Sequence, residues 1–459
     1  MAEAAAPRPR LLMLAWPLLA ELVLGFGVSL LGLWLASRES DAASAALALS
    51  NQVLGAFFLL FRIVSMGVSV VITQNLGAGH TEDAHRVARA SLGASTWLGL
   101  GTALVVGSSA GPLLRLLDAP AAVLAVGEPY LPALALALLL DAYNASMSAV
   151  LRAHLRTREA MFNILAMHAV HLLLAFPIMR GWGPLPALGL PGFAVAMALS
   201  RGFGMAVHLW LWQARLHLRT QAADWWRVRR GVLGPALHIG LPGAAEAIAY
   251  RLAMLASMAA VSGMGTLALA THTYASQVMT LVVLSTVAIG FAGEILVGHL
   301  IGAGDLHRAN QMVRRSLATG LVVSLLLAIV AAATAPWTLR VFTDDADIIP
   351  QAGTLLWLSV LLEPGRTCNI VVINALRATG DARFPVLVGA VSMLVVMAGG
   401  SWLLGVHFGL GLVGVWIAYL ADEWLRGLIM AARWTRHGWV GAARRTRQRV
   451  LRQRHGLAA

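Results

Sequence analysis

Runs of about twenty apolar residues recur along the whole chain, and short polar connections separate them. A run of that length crosses a lipid bilayer as one α-helix. The first run is too long for a cleaved signal peptide and more such runs follow it. We therefore expect an all-α polytopic membrane protein. The pattern predicts twelve transmembrane helices near residues 11–36, 46–74, 92–117, 129–151, 160–180, 189–214, 237–262, 268–299, 315–340, 350–376, 384–408 and 410–432.

The distribution of basic residues predicts the orientation of these helices. All 34 basic residues are arginines, and 25 of them lie in the carboxy-terminal tail and in alternate connections, counted from the amino terminus. The opposite side holds four, namely Arg38, Arg115, Arg180 and Arg340. Because arginine-rich connections stay in the cytoplasm, both termini are expected to be cytoplasmic, as an even number of spans requires.

Composition excludes several classes of protein. Only 12% of the residues are charged and the mean hydropathy is +0.75, whereas soluble proteins carry about 25% charged residues. The net charge of +13 does not point to nucleic acid, because the basic tail "RRTRQRVLRQR" is expected to lie on anionic lipid headgroups. Cys368 is the single cysteine and lysine is absent, so an internal disulfide and a Walker-type nucleotide loop are both excluded. No spacing of Cys and His predicts a metal site, and no cofactor is expected.

One phrase occurs twice at a constant offset of 225 residues. "LGAGHTEDAHRVARASL" begins at Leu76 and "IGAGDLHRANQMVRRSL" begins at Ile301, with seven identities in seventeen positions. The same offset relates further pairs: Pro17 and Pro242, Glu21 and Glu246, Gln52 and Gln277, Asn144 and Asn369, Arg152 and Arg377.

The repeat predicts the domain organisation. We expect an amino-terminal six-helix bundle at 1–222, a cytoplasmic linker at 223–236, a carboxy-terminal bundle at 237–440 and a basic cytoplasmic tail at 441–459. Six helices are an even number, so the two bundles share one orientation and are expected to be related by a pseudo-two-fold axis along the membrane normal. Such halves typically work by alternating access, in which one half rocks against the other.

Several motifs together resemble the MATE (multidrug and toxic compound extrusion) family over nearly the whole chain. They are "NLGAGHTEDAHRVARASL", "AVLRAHLRTREAMFNI", "LPGAAEAIAYRLAMLA", "LVGHLIGAGDLHRANQMVRRSL", "INALRATGDARFPV" and "GLGLVGVWIAYLADEWLRG". The resemblance implies a V-shaped pair of bundles. It also implies secondary active efflux of organic, often cationic, compounds in exchange for protons or sodium ions.

Ionisable groups at membrane depth are energetically expensive, so each one is a candidate for function. Glu246 is the leading candidate, because a carboxylate nine residues into the predicted seventh helix can exchange a proton, bind a sodium ion or attract a cationic compound. The alternative is a structural ion pair with Arg251 or another helix arginine. The resemblance favours a role in coupling or binding, since many MATE sequences carry an acid in this helix.

Four further residues complete the candidate site for ion coupling or substrate binding. Glu363 lies near the middle of the tenth helix, and Arg366 lies on the same face three residues later. Binding of an ion to Glu363 would release Arg366, although the two also neutralise each other. Asp141 occupies the position equivalent to Arg366 in the first half, and Glu21 is the repeat partner of Glu246.

The sequence departs from the family pattern at two places. Some MATE proteins have an aspartate where the alignment puts Arg366, so their sodium site is not simply copied here. Several have a proton-carrying aspartate late in the first helix, and this chain has Leu31 and Gly32 there. Proton coupling through that residue is therefore excluded.

The sequence leaves the cargo and the coupling ion open. The leading hypothesis is a monomeric antiporter of the bacterial inner membrane that exports small organic compounds and binds no nucleic acid. The alternative is a flippase or exporter of a lipid-linked or polar metabolite. A membrane enzyme is disfavoured, because the short connections contain no clustered catalytic residues.

Overall fold

The computed structural model describes residues 11–182 and 186–454, and the side chains up to Arg452. Arg8, Arg10 and the last five residues of the predicted tail lie outside this range. Within it every regular element is a helix and no strand occurs. The long helices are α1 (Leu11–Ser37), α2 (Asp41–Gly77), α3 (Thr81–Ser108), α5 (Ala121–Ala153), α6 (Thr157–Arg180), α7 (Gly189–Leu216), α9 (Arg230–Ser262), α10 (Thr266–Ala303), α11 (Leu306–Ala333), α13 (Ile348–Thr379) and α15 (Gly411–Thr435).

Four shorter α-helices, a 3₁₀ helix at Leu339–Val341 and one helix of mixed type complete the fold. The short ones are α4 (Ala110–Arg115), α8 (Ala222–Trp226), α12 (Ala335–Thr338) and α16 (Val440–Arg454). Helix α14 begins as an α-helix at Arg383–Ser392 and continues as two π-helical segments, Met393–Gly399 and Ser401–His407. Both π-helical segments pack beside α15. π-Helical turns occur frequently at functional sites.

The twelve predicted spans correspond to twelve long helices in the described part of the chain. Eleven are long and apolar enough to cross a membrane by length and composition. The twelfth is α15, whose apolar stretch is interrupted by Asp422, Glu423, Arg426 and Arg433. Large apolar side chains such as Leu104 and Leu173 are exposed on the helix surfaces, as a lipid environment requires. The all-α polytopic architecture is thus confirmed.

Some helix boundaries differ from the predicted ones. Helix α9 begins at Arg230 rather than at 237, because the stretch "RGVLGPA" that precedes the predicted start is already helical. The predicted spans 92–117 and 315–340 each contain a break, at Ser109 and Thr334, and a short helix follows each break. These two residues are again 225 positions apart, so the break belongs to the repeat.

The chain divides into two compact units that do not follow the chain order. Unit 1 consists of residues up to 19, residues 73–79 and residues from 241 onwards, and unit 2 consists of residues 20–72 and 80–240. Helices α1, α2 and α9 therefore each contribute one segment to each unit. The predicted boundaries at 222 and 237 follow the sequence repeat rather than the contacts, and they stay a prediction.

The repeated phrase is explained by a reciprocal helix contact within unit 1. A side chain at Gly77 would overlap the backbone of His299, and one at Gly302 would overlap the backbone of Gln74. Gln74 and His299 are themselves repeat partners, so each copy of the phrase provides the glycine that the other copy needs. The second glycine of each phrase follows the helix in a left-handed conformation, with φ of +78° at Gly79 and +79° at Gly304. That conformation strains any residue with a Cβ atom.

Candidate functional site

A chain of alternating charges crosses the middle of α13 and α15 in unit 1. Arg366 forms an ion pair with Glu363 and a second one with Glu423, at 3.2 Å. Arg426 then contacts Glu423 at 3.2 Å and Asp422 at 2.5 Å. We call these five residues, Glu363, Arg366, Asp422, Glu423 and Arg426, the unit 1 network. Three carboxylates and two guanidiniums give it a formal charge of −1.

Neutral side chains fix the carboxylates of the unit 1 network. Asn369 Nδ2 donates to Glu423 Oε2 at 3.0 Å, and Ser392 Oγ donates to Asp422 Oδ1 at 2.6 Å. Ser392 is the last residue before the π-helical segments of α14. The site thus joins α13, α14 and α15.

Close helix packing makes the network possible. Gly365 lies against the side chain of Trp424, where a Cβ atom would come within 2.8 Å of the indole. A Cβ atom on Gly427 would lie 2.7 Å from the carbonyl oxygen of Gly365. The two glycines let α13 and α15 approach closely enough for Arg366 to reach Glu423. Pro364, in the same turn, has no backbone N–H. The carbonyl group one turn earlier in α13 therefore lacks its helical hydrogen-bond donor.

Glu363 is the most deeply buried carboxylate of the network. Its residue exposure is 0%, and its Oε2 atom has no hydrogen-bond partner among the described residues. An ionised carboxylate in that position needs full compensation. Because the network carries one uncompensated negative charge, one proton or one monovalent cation would neutralise it.

Glu246 forms an ion pair with Arg377 of the last turn of α13. The alternative of a structural ion pair with a helix arginine thus applies to Glu246. The partner is not Arg251, which is exposed. The sequence placed Arg377 in a cytoplasmic connection, whereas it is helical and only 6% exposed. Because α9 begins at Arg230, Glu246 lies sixteen residues beyond the start of its helix rather than nine.

The equivalent pair occurs in unit 2 at the same offset. Arg152 Nη1 lies 2.5 Å from Glu21 Oε1, and adding 225 to each number gives Arg377 and Glu246. Both the acids and the arginines repeat in the sequence, but the repeat alone does not show that they pair. The recurrence of an acid and an arginine at one offset was the signal in the sequence that could have predicted these ion pairs, because a pair that both halves require keeps both of its members.

Asp141 pairs with Arg201 of α7, at 2.7 Å between Oδ1 and Nε. Asn144 Nδ2 donates to the backbone oxygen of Arg201 at 2.9 Å, and its Oδ1 atom lies 3.0 Å from His208 Nδ1. The structure thus places Glu21 and Asp141 in two separate ion pairs of unit 2. It brings Glu363 and Arg366 together in unit 1.

Tyr250 connects the helix of Glu246 with the unit 1 network. It lies four residues after Glu246 on α9 and interacts electrostatically with Arg366, Glu423, Arg426 and Asp422. Glu246 also interacts electrostatically with Arg426. The chain order does not reveal that Glu423 and Arg426 belong to this network, because the distance between α13 and α15 is not visible in it.

The described residues contain no group of three or more His, Cys, Asp or Glu side chains that resembles a metal site. The guanidinium of Arg377 already provides a positive charge beside the carboxylate of Glu246. A sodium ion at Glu246 stays a prediction and would have to displace Arg377.

Comparison with known proteins places these features in a family. The MatE family model matches residues 17–176 and 242–403. The chain is 30% identical to the uncharacterized transporter YisQ of Bacillus subtilis, over 93% of this chain and 94% of that protein. It is 28% identical to the probable multidrug resistance protein NorM of Rhodopseudomonas palustris, over 88% and 87% of the two chains.

Solved structures share the fold. A multidrug resistance MATE family transporter of the MOP superfamily in an outward-facing conformation aligns with a TM-score of 0.85 at 19% identity, over 94% of this chain and 96% of that one. A MOP superfamily transporter from Pyrococcus furiosus aligns with a TM-score of 0.84 at 18% identity, with the same coverage.

Proposed function

Because the chain belongs to the MatE family of membrane transporters, we propose that it is a secondary active antiporter. It exports small organic compounds, cationic or amphipathic, in exchange for protons or sodium ions. Its relatives are transporters rather than enzymes. The NorM relatives carry the name multidrug resistance protein, which supports this cargo.

The observation that carries the proposal is the negative charge of the unit 1 network around Glu363. Five ionisable groups lie near the middle of two membrane helices, where each is expensive. Four of them are paired on both sides or capped by a neutral donor, and Glu363 Oε2 has no hydrogen-bond partner among the described residues. A buried acid in that position is suited to take up one proton or one cation.

The exchange then follows from competition for that charge. In the cargo-bound state a cationic compound compensates the network. When a proton or sodium ion binds Glu363, the carboxylate no longer holds Arg366, and Arg366 is left with Glu423 alone. The site becomes neutral, so it loses its attraction for the cationic cargo. Each elementary charge that moves down 100 mV supplies about 2.3 kcal/mol, or roughly a fiftyfold accumulation of cargo.

Glu246 and Glu21 act as positioning residues in this proposal. Each ties its helix to the arginine of α13 or α5 within one unit. Glu246 also lies within electrostatic range of Arg426 in the network. Asp141 is the second candidate for ion coupling, because within the described ranges it forms an ion pair with Arg201 alone.

A second candidate function is export of a polar or lipid-linked metabolite. Arg366 and Arg426 favour it, since both guanidiniums are buried in unit 1 and suit an anionic group. For the Pyrococcus furiosus transporter, reversed polarity of the binding pocket suggests a different function. The formal charge of −1 in the network favours cationic cargo here.

The orientation and assembly belong to the same proposal. We expect a monomer in the bacterial inner membrane with both termini in the cytoplasm. The arginine distribution supports this orientation.

Ethidium efflux from cells that lack other exporters tests the proposal, with sodium and pH gradients imposed separately. The wild-type chain should export the dye under one of the two gradients, which identifies the coupling ion. Glu363→Gln should reduce coupled efflux at least tenfold, because the amide cannot bind the ion, while Glu246→Gln should change the rate less. Glu128→Gln, at an exposed ion pair with Arg115, is the matched control.

The outcomes separate the candidate functions. If Glu363→Gln exports dye as the wild type does, the network is not the coupling site and Asp141→Asn becomes the next variant. If the wild-type chain exports no cationic dye under either gradient, the cationic cargo is wrong. Transport of an anionic dye by the same cells would then support the second candidate.

A further inference from the structure

Helix α16 carries a strongly basic surface that the transport proposal does not use. It contains six arginines and no acidic residue. Arg444, Arg445, Arg447 and Arg452 are exposed, and none of them forms an ion pair of 4.0 Å or less among the described residues. Leu451, also exposed at 43%, lies on the same face as Arg444 and Arg447. An exposed row of arginines with one leucine is typical of a helix on the surface of a membrane.

The opposite face of α16 is fixed to unit 1. Val450 is 0% exposed and Ala443 is 1% exposed. Thr446 Oγ1 donates to the backbone oxygen of Thr379 at 3.0 Å, at the end of α13. Although the side chain of Arg447 belongs to the exposed face, its guanidinium also lies against Gly304, at the end of α10. The helix therefore lies across the ends of two membrane helices, where it has a defined depth relative to them.

Arg449 faces inward, unlike the four exposed arginines of α16. Its Nη2 atom donates to Gln74 Oε1 at 2.8 Å, and Gln74 Nε2 donates to the backbone oxygen of Ala378 at 2.8 Å. Burial lowers the pKa of Arg449 from its ordinary value. This chain of hydrogen bonds connects α16 with the ends of α2 and α13, next to the reciprocal glycine contact at Gly77 and Gly302.

We propose that the exposed arginines of α16 bind the headgroups of anionic lipids, and that this binding holds α16 on unit 1. The charge of the surface selects the partner, since a helix beside a membrane with only positive charges is complementary to phosphate headgroups. The lipid-bound helix keeps Arg449 on Gln74 and thereby stabilises the contact between α2 and α10. Transport then depends on the anionic lipid content of the membrane. The inference rests on the proposed cytoplasmic orientation of α16.

The test measures docking of α16 without requiring transport. Val450→Cys places a thiol on the buried face and Gln448→Cys places one on the exposed face, both with Cys368→Ser. Each full-length variant is reconstituted in phosphatidylethanolamine vesicles with increasing fractions of phosphatidylglycerol, and its reaction with a membrane-impermeant maleimide is followed. Phosphatidylglycerol should slow the labelling of Val450→Cys. It should slow the labelling of Gln448→Cys much less.

Removal of the exposed charges should abolish the lipid effect. Each arginine near an anionic surface contributes roughly a fivefold factor, so Arg444→Gln, Arg445→Gln and Arg452→Gln together should reduce the protection by up to about a hundredfold. Arg215→Gln, Arg219→Gln and Arg230→Gln remove the same number of exposed arginines from unit 2 and should preserve the protection of Val450→Cys.

Two results would overturn the inference. One is labelling of Val450→Cys that does not respond to phosphatidylglycerol, and the other is an equal loss of protection in both arginine variants. Labelling of Gln448→Cys from the extracellular side of intact cells would contradict the orientation instead. If the protein shows lipid-dependent labelling of Val450→Cys but the wild-type chain exports no dye, the transport proposal is contradicted and the lipid site is retained.

Discussion

Units 1 and 2 use the same positions for two different electrostatic arrangements. The pair Glu21–Arg152 in unit 2 recurs as Glu246–Arg377 in unit 1, and Asn144 and Arg201 recur as Asn369 and Arg426. At the remaining polar position the sign changes, from Asp141 to Arg366. Unit 1 then adds three acids where unit 2 has apolar residues: Glu363 for Leu138, Asp422 for Met197 and Glu423 for Ala198.

The comparison separates what the fold requires from what the site requires. An ion pair that is needed to hold a helix in both units is kept in both. A network that occurs in one unit only is not a requirement of the fold, since the other unit folds without it. The duplicated pairs are therefore expected to contribute to stability, and the unit 1 network to contribute to transport.

The largest effect should follow removal of the arginine at the position of reversed sign. Arg366→Met leaves Glu363 and Glu423 without their shared cation in the membrane interior, and breaking such a buried pair costs about 3–5 kcal/mol. Arg201→Met strands the single carboxylate of Asp141 and should destabilise the protein less. Thermal stability in detergent measures both. Equal losses would show that the two networks are equivalent.

A smaller effect should follow removal of one acid from each duplicated pair. Glu246→Gln and Glu21→Gln each lose a charged hydrogen bond, which contributes about 1.5–3 kcal/mol. The loss should be greater for Glu246→Gln, because the side chain of Arg377 is 7% exposed and that of Arg152 is 24% exposed. Exchange of the two residues, Glu246→Arg with Arg377→Glu, should restore part of the stability. No recovery would indicate that Glu246 acts through something other than the pair.

The smallest effect tests the symmetry between the two copies of the repeated phrase rather than the difference between the two units. Gly77→Ala and Gly302→Ala each place a methyl group against the backbone of the other repeat, at about 1–3 kcal/mol for forced overpacking. Their losses should be similar, since the contact is reciprocal. Gly101→Ala is the control, because open space surrounds it in α3 and alanine should stabilise that helix by about 0.5–1 kcal/mol. A large difference between the first two variants would break the symmetry.

The sequence predicted the helices and the repeat because both depend on local composition and on spacing. It also singled out ionisable residues such as Glu363 and Arg366, since any charge at membrane depth stands out against apolar neighbours, and their role in transport stays a prediction. The pairing of Glu246 with Arg377 was missed because 131 residues separate the two, and Arg377 near a helix end looked cytoplasmic. The link from Arg366 to Glu423 depends on the approach of α13 to α15, which Gly365 and Gly427 permit and no periodicity reveals.

The exchange of helix segments between the units also constrains the order of synthesis. The start of α1, Leu11–Leu19, belongs to unit 1, and apart from residues 73–79 the rest of that unit begins at residue 241. This segment is therefore synthesised long before the helices that complete its packing. Unit 2, in turn, is finished only when the start of α9 has been made. Neither half of the gene encodes a unit that is complete in itself, so expression of the two halves as separate chains would have to reunite them within the membrane.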